Sequence, residues 1–193
     1  MSDEPPITDF LMDSELPAGV DGLLEWAEVE LVILSPWIQL TGHQEDLLKV
    51  KIADGLNVTL LTRQPLPNNV EHGETIERFQ QLGASVYFDN KLHAKMVLAD
   101  RSVVLVMSSN IIPSSLRDNH EIGIISQDRN IVESTLGYLS FLEDVLDVSI
   151  LKRSDEKFES GKTRLRKFLS RLLKRRNNVE LVHDNKNRTD GRN

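Results

Sequence analysis

Short apolar runs alternate with amphipathic segments along most of the chain. Runs rich in Val, Ile and Leu that are bounded by Gly, Pro, Ser or Asn predict buried strands, whereas apolar residues three and four positions apart predict helices. The strands are predicted over 30–34, 58–62, 85–88, 92–98, 103–107 and 121–125. Helices are predicted over 21–28, 43–53, 74–82 and 130–147, and loops over 64–71 and 110–119.

This order of elements indicates an α/β fold, in which a mixed β-sheet is flanked by helices on both faces. The predicted strands 92–98 and 103–107 are separated by a short connection, which favours an antiparallel hairpin. We place this α/β domain at residues 20–150. The acidic, proline-containing segment 1–19 that precedes it is expected to be irregular.

The charge of the chain is uneven, although its net value is only −7. Between Lys152 and Arg176 there are eleven Lys or Arg residues and three acids, so this segment carries +8 and the remainder −15. Residues 151–176 are expected to form a basic amphipathic helical extension with one stripe of Leu and Phe, and 177–193 a polar disordered tail. The stripe could simply dock on the domain, and the charge suits a nucleic-acid backbone or an anionic membrane equally. The candidate backbone contacts are Lys162, Arg164, Arg166, Lys167, Arg171, Lys174 and Arg175.

Several classes of site are excluded by composition. The chain has no cysteine, so it has no disulfide, no cysteine-ligated zinc and no thiol nucleophile. The sequence His72-Gly73-Glu74 matches the HxE of zinc deaminases, but that site also needs cysteines, so we interpret the match as chance. Every apolar run, Leu31–Leu34 among them, is far short of the roughly 20 residues of a membrane span. The acidic N-terminus lacks the features of a secretory signal, so a cytoplasmic location is expected.

The residues with the most specific chemistry lie between positions 92 and 121. Alternate residues of a strand share a face, so His93 and Lys95 are expected to point the same way. A lysine in this position can bind the non-bridging oxygens of a phosphate while the imidazole approaches phosphorus. Ser108 and Asn110, which follow the adjoining strand, can donate hydrogen bonds to the same oxygens. This pattern indicates phosphoryl-transfer chemistry that needs no metal.

Two acids complete the candidate set. Glu121 is placed to accept the second ring N–H of a histidine and so fix its tautomer. Asp100 closes the predicted hairpin, where it can cap the turn or hold a basic partner.

The spacing of these residues resembles the phospholipase D superfamily. HAKMVLAD, from His93 to Asp100, has the pattern HxKxxxxD, and Ser108-Ser109-Asn110 and Glu121 follow at the family's spacing. Met107 stands where the family usually has glycine. The resemblance covers roughly residues 20–147 and implies a phospholipase D-like α/β/α sandwich. It also implies catalytic roles for His93, Lys95, Asp100 and Glu121, and phosphate binding by Lys95, Ser108 and Asn110.

The resemblance further implies cleavage of phosphodiesters through a covalent phosphohistidine, with no metal and no cofactor. Each active site of the family uses two HxK motifs, and this chain has one. By analogy with the small bacterial nucleases of the family, we expect a homodimer with one shared site.

Three functions remain open from the sequence. The first is a nuclease that hydrolyses nucleic-acid phosphodiester bonds, which the short single-motif architecture and the basic segment favour. The second is a phospholipid phosphodiesterase or phosphatidyl transferase. The third is a catalytically inactive domain that has kept the fold and a binding role.

Overall fold

The structure is a computed structural model that describes residues 6–151. Its strands are β1 (Thr8–Met12), β2 (Glu30–Leu34), β3 (Asn57–Thr62), β4 (Ser85–Phe88), β5 (Met96–Ala99), β6 (Val103–Met107) and β7 (Ile122–Ser126). Its helices are α1 (Glu15–Trp26), α2 (Gly42–Ala53), α3 (Val70–Gln81), α4 (Pro113–Asp118) and α5 (Arg129–Leu146). The expected basic extension and tail, with the candidates Lys162, Arg164, Arg166, Lys167, Arg171, Lys174 and Arg175, lie outside the described residues.

All seven strands belong to one mixed sheet in the order β1-β7-β6-β5-β2-β3-β4. Strands β2, β3 and β4 are parallel to one another. The pairs β2–β5, β5–β6, β6–β7 and β7–β1 are antiparallel. The carboxyl ends of β2, β3, β4 and β6 therefore meet the amino ends of β5 and β7 at one edge. This edge, which we call the upper edge, holds the residues singled out by the sequence.

Helices cover both faces of the sheet, as the α/β interpretation predicted. On one face α1 approaches β7 so closely that a Cβ on Gly123 would lie 2.8 Å from a side-chain carbon of Leu16. On the other face α5 packs on the central strands. This second core contains Val32, Leu34, Leu61, Leu92, Met96, Leu98, Val104, Val132, Leu139, Leu142 and Ile150.

The N-terminal segment is more regular than expected. Residues Thr8–Met12 form the edge strand β1, which pairs with β7 and buries only Leu11. Helix α1 spans Glu15–Trp26 rather than 21–28, so it begins within the segment expected to be irregular and includes Pro17 and Gly19. Proline is tolerated in the first turn of a helix, where its missing N–H has no partner to lose. Gly19 lies against Leu11 and Leu105, so the helix packs tightly on the sheet.

Two further differences lie at the upper edge. Regular pairing of β5 begins at Met96 rather than Leu92, and residues 92–95 lead into the strand without regular secondary structure. The predicted loop 110–119 contains the short helix α4, which starts with Pro113 in the position that proline favours. The hairpin of β5 and β6 is antiparallel, as predicted. Within residues 6–151, no helix has the length and apolar character needed to cross a membrane.

Candidate active site

His93 and Lys95 lie together at the upper edge, in the segment that leads into β5. The Nζ atom of Lys95 is 3.4 Å from both Nδ1 and Nε2 of His93, so the two side chains share one side of the chain, as predicted. The carbonyl of Lys95 accepts a hydrogen bond from the N–H of Met107 at 3.1 Å, which fixes this segment to β6. The His93 ring is exposed. A cation and an accessible imidazole therefore stand side by side on a fixed backbone.

Ser108 and Glu121 form a second pair next to them, at the ends of β6 and β7. The Ser108 hydroxyl donates to Oε2 of Glu121, and its oxygen accepts the N–H of Ile122 at 3.1 Å. The amide of Asn119 lies 3.4 Å from the other Glu121 oxygen. Among the described residues of one chain, Glu121 thus holds Ser108 and not His93. A histidine partner for Glu121 remains a prediction.

Asn110 follows this pair in the chain and is half-buried. Its amide oxygen is buried and has no hydrogen-bond partner within residues 6–151. Buried polar atoms are nearly always paired, so this oxygen is an unused acceptor. An acceptor cannot donate to a phosphate oxygen, so phosphate binding by Asn110 stays a prediction that depends on its amide N–H groups.

An open groove of about 820 Å³ runs from His93 and Lys95 past Ser108 to α5. Its sheet side is largely apolar and includes Met96, Val106 and Met107. Helix α5 contributes polar groups, with Asn130, Ser134, Thr135 and Tyr138 among its lining residues. Burial, and then the charge of Asp89, raises the pKa of Tyr138 above 10.0, so this phenol keeps its proton at neutral pH. These α5 residues were not predicted from the sequence.

A family model described as "Cardiolipin synthase, PLD-like domain" matches residues 22–140, which is more than half of the chain. The chain belongs to the phospholipase D superfamily. The assignment that the spaced motif predicted is therefore confirmed. A search of curated protein sequences finds no match.

Solved structures of phospholipase D superfamily fold are similar to this chain. Nuc from Salmonella typhimurium, a phospholipase D family member, superposes with a TM-score of 0.62 at 14% identity, covering 71% of this chain and 93% of Nuc. NucT from Helicobacter pylori has a TM-score of 0.59 at 13% identity, covering 72% and 97%. Phosphatidylserine synthase from Haemophilus influenzae Rd KW20 has a TM-score of 0.54 at 14% identity, covering 91% of this chain and 47% of the synthase. At these identities the likeness shows the fold.

Asp100, the last residue of the phospholipase D-like motif, is not at the groove. It lies at the opposite end of β5, seven residues of extended chain or about 20 Å from His93. Its carboxylate accepts the backbone N–H groups of three successive residues at 2.8–2.9 Å, at the start of β2. Asp100 also has a left-handed backbone with φ of 48°. The expectation of a catalytic position for Asp100 is thus corrected: it fastens the β5–β6 turn to β2, the turn-capping alternative raised above.

Asp13 is a residue at the upper edge that sequence reasoning missed. Its carboxylate accepts the N–H of Glu121 at 2.9 Å and lies 3.2 Å from Nδ1 of His120, whose side chain is fully exposed. The bond from Glu121, followed by the one from His120, holds the pKa of Asp13 below its ordinary value of 3.8. Asp13 therefore positions the backbone from which the Glu121 side chain reaches Ser108.

Arg63 supports the other side of His93. Its Nε donates to the carbonyl of Leu92 at 2.7 Å, and its guanidinium lies 5.9 Å from the ring centre of Trp37. His72 is buried against this tryptophan, and both of its ring nitrogens face backbone groups. His72 is therefore a structural residue of the scaffold. Within residues 6–151, no group of three or more His, Cys, Asp or Glu side chains is arranged to hold a metal ion.

Proposed function

We propose that this chain is a metal-independent phosphodiesterase that hydrolyses nucleic-acid phosphodiester bonds through a covalent phosphohistidine. The observation that carries the proposal is the contact between Lys95 and His93, with the ammonium 3.4 Å from both ring nitrogens of an exposed imidazole. A cation at that distance can hold a phosphate beside the ring. The Ser108 hydroxyl, fixed by Glu121, offers a further group for the phosphate oxygens.

In the first step, a ring nitrogen of His93 attacks phosphorus, a P–N bond forms, and the P–O bond to the leaving group breaks. The leaving oxygen takes a proton from a second imidazole. The charge on the equatorial oxygens is stabilised by Lys95 and by neutral donors such as Asn110.

In the second step, water attacks the phosphohistidine while the second imidazole accepts the water proton. The P–N bond then breaks, which releases the phosphate monoester and restores both imidazoles. The second imidazole is proposed to be the partner's His93, because the family uses two motifs in each site and this chain has one.

The choice of nucleic acid rests on the charge distribution. The segment from Lys152 to Arg176 carries +8, whereas the remainder of the chain carries −15. Attraction to a polyanion must therefore come chiefly from that segment, through phosphate contacts that release counterions.

A phospholipid substrate is the second candidate, and one observation favours it. The groove beside His93 has largely apolar walls on its sheet side, including Met96, Val106 and Met107, which would suit an acyl chain next to a bound phosphate. The family description names a cardiolipin synthase, and phosphatidylserine synthase is among the similar structures.

The test is to incubate the full-length protein in EDTA with plasmid DNA, RNA, phospholipid vesicles and bis-p-nitrophenyl phosphate. Wild type is compared with His93→Ala and Lys95→Ala, and with His43→Ala and Lys91→Ala as matched controls, because both control side chains are exposed and line no part of the groove. We expect His93→Ala to lower kcat by about 10³-fold or more and the controls to leave it unchanged.

The preferred substrate separates the two candidates, since nucleic-acid hydrolysis supports the first and headgroup release or exchange the second. Rapid acid-free quench and mass spectrometry should detect the phosphohistidine on wild type and not on His93→Ala. Cleavage that EDTA abolishes would contradict the metal-independent mechanism. A wild-type protein that binds these substrates and hydrolyses none would indicate an inactive binding domain.

A further inference from the structure

Arg63 lies at the upper edge, directly after β3, and its side chain is held in place on two sides. Its Nε donates to the carbonyl of Leu92 at 2.7 Å, and its guanidinium carbon lies 5.9 Å from the ring centre of Trp37. Leu92 directly precedes His93, and the bond lengths between them place Nε within roughly 7 Å of the His93 Cα. A fixed cation therefore stands close to the proposed nucleophile.

The backbone of Arg63 is fixed as well. Its N–H donates to the carbonyl of Pro36 at 3.4 Å, and its carbonyl accepts the Nε2–H of His72 at 3.1 Å. The N–H of Gln64 donates to the side-chain oxygen of Asn90 at 3.2 Å, which ties the turn before Leu92 to the same segment. A guanidinium that is already ordered loses little conformational freedom when it binds a ligand.

The positive charge of Arg63 is not neutralised by an ion pair within residues 6–151. Other arginines of this region do pair with carboxylates: Arg78 with Glu45 and Glu74, Arg101 with Glu30, and Arg129 with Glu133. Asp89, whose N–H donates to the carbonyl of the residue before Arg63, makes no ion pair with it and accepts the N–H of Lys91 instead. The two terminal nitrogens of Arg63 make no hydrogen bond within the described chain and are not buried, so they can receive an anion.

We propose that the Arg63 guanidinium binds the phosphate next to the scissile one in a nucleic-acid strand. The proposal rests on the proposed function, in which Lys95 and His93 hold the scissile phosphate. Adjacent phosphates of a strand are joined by one nucleoside, a separation of the same order as that between the guanidinium and His93. Arginine frequently binds two oxygens of one phosphate at once through its planar N–H groups. A phosphatidyl substrate with a single phosphodiester would leave this guanidinium unused.

A purely structural role for Arg63 has a different consequence. An arginine that only positioned the Leu92 carbonyl would affect every substrate equally, because each substrate needs His93 in place. An arginine that binds a second phosphate affects only the substrates that have one. The number of phosphates in the substrate therefore distinguishes the two roles.

The first experiment compares two kinds of chromogenic substrate with the full-length protein in EDTA. Bis-p-nitrophenyl phosphate has a single phosphate. The p-nitrophenyl phosphodiesters of a dithymidine dinucleotide, made at its 5′ or its 3′ phosphate, have the same leaving group and a second phosphodiester one nucleoside away. We expect Arg63→Ala to lower kcat/KM about 10-fold or more for at least one dinucleotide ester and less than about 2-fold for the bis ester. Arg63→Lys, which keeps the charge and loses the planar fork, should lie between wild type and Arg63→Ala.

Arg117→Ala is the matched control, because Arg117 is an exposed arginine of α4 that forms no ion pair within residues 6–151 and lines a separate pocket. It should leave kcat/KM unchanged for both kinds of substrate. A further substrate replaces the second phosphodiester of the dinucleotide ester by an uncharged methylphosphonate. Wild type should lose about 10-fold in kcat/KM on this substrate, whereas Arg63→Ala should lose little more, since the partner of the missing charge is already gone.

Equal losses on both kinds of substrate in Arg63→Ala would show a structural role and overturn the proposal. A wild-type protein that does not distinguish the phosphodiester from the methylphosphonate would overturn it as well, and so would an Arg63→Ala protein that loses activity on phospholipid vesicles alone. Fluorescence anisotropy separates this proposal from the mechanism. If His93→Ala keeps its activity, the mechanism fails, whereas the affinities of wild type and Arg63→Ala for labelled phosphodiester and methylphosphonate dinucleotides still decide whether Arg63 binds a second phosphate.

Discussion

Replacing Asp100 should lower the stability of the protein and leave its turnover unchanged. The Oδ1 atom of Asp100 accepts the N–H groups of Val29 and Glu30 at 2.8 Å, and Oδ2 accepts that of Glu28 at 2.9 Å. Asp100 is buried, so these backbone donors lose their partner when the carboxylate is removed. The side chain is also about 20 Å along the chain from His93, too far to touch a phosphate held there.

The magnitude follows from these bonds. A hydrogen bond to a charged group contributes about 1.5–3 kcal/mol, and the contributions of neighbouring bonds do not add fully. We therefore expect Asp100→Ala to lower the free energy of unfolding by about 3–5 kcal/mol. Asp100→Asn keeps one carbonyl oxygen and a residue type that tolerates φ of 48°, so its loss should be about 1–3 kcal/mol.

Asp147→Ala is the matched control. Asp147 has a similar left-handed backbone, with φ of 52°, and is exposed at the end of α5. This variant measures the backbone cost alone, about 1–2 kcal/mol. The assay is urea unfolding followed by circular dichroism, together with kcat measured well below each unfolding midpoint. An Asp100→Asn protein with full stability and a kcat lowered 100-fold would refute the reasoning and return Asp100 to the catalytic set.

Three other predictions concern the scaffold and the groove. Gly123→Ala should lower the free energy of unfolding by about 1–3 kcal/mol, since the new Cβ would lie 2.8 Å from a side-chain carbon of Leu16 on α1. In the same urea titration Gly137→Ala should raise the free energy of unfolding by about 0.5–1 kcal/mol, because no atom lies within 4 Å of the Cβ it would add to α5. The pKa of Asp13 is lowered, so its charge stabilises the fold above pH 3.8, and that stabilisation is lost as the pH falls through the lowered pKa. The difference in unfolding free energy between wild type and Asp13→Asn should therefore shrink on acidification, and a difference that stays constant with pH would contradict this. The ultraviolet titration of Tyr138, read as the difference from Tyr138→Phe, should have its midpoint above pH 10.0 and move down in Asp89→Asn.

The sequence predicted the parts of the site that are close together in the chain. His93 and Lys95 are two residues apart, so the alternation of an extended chain was sufficient to place them on one side. The pairing of Ser108 with Glu121 was not predicted, because it depends on the register of β6 against β7. The sequence indicated a strand near Glu121 but could not assign its neighbour.

Other parts of the site depend on tertiary packing. Tyr138 lies on a helix whose apolar spacing predicted the helix itself but not which strands it covers. The sequence did contain a sign of these groove-lining residues, since Ser134, Thr135 and Tyr138 interrupt the apolar pattern of α5. Strand β1 was missed because its apolar run of three residues, Phe10 to Met12, is too short to distinguish a strand by its pattern, and only Leu11 is buried. Asp13, at its end, was missed with it.

The two faces of β7 have different surroundings, so the strand should not tolerate a change in length. Gly123 admits α1 on one side, while Ile122 and Ile124 point to the other, and Glu121 stands just before them. Because side chains alternate strictly, a one-residue shift in the register of β7 against β6 would turn both isoleucines toward α1 and carry the Glu121 carboxylate away from Ser108. The packing of α1, the exposed side of the sheet and the position of Glu121 therefore all depend on the register of the five-residue strand β7. Natural length variation in this region should be confined to the loop before β7.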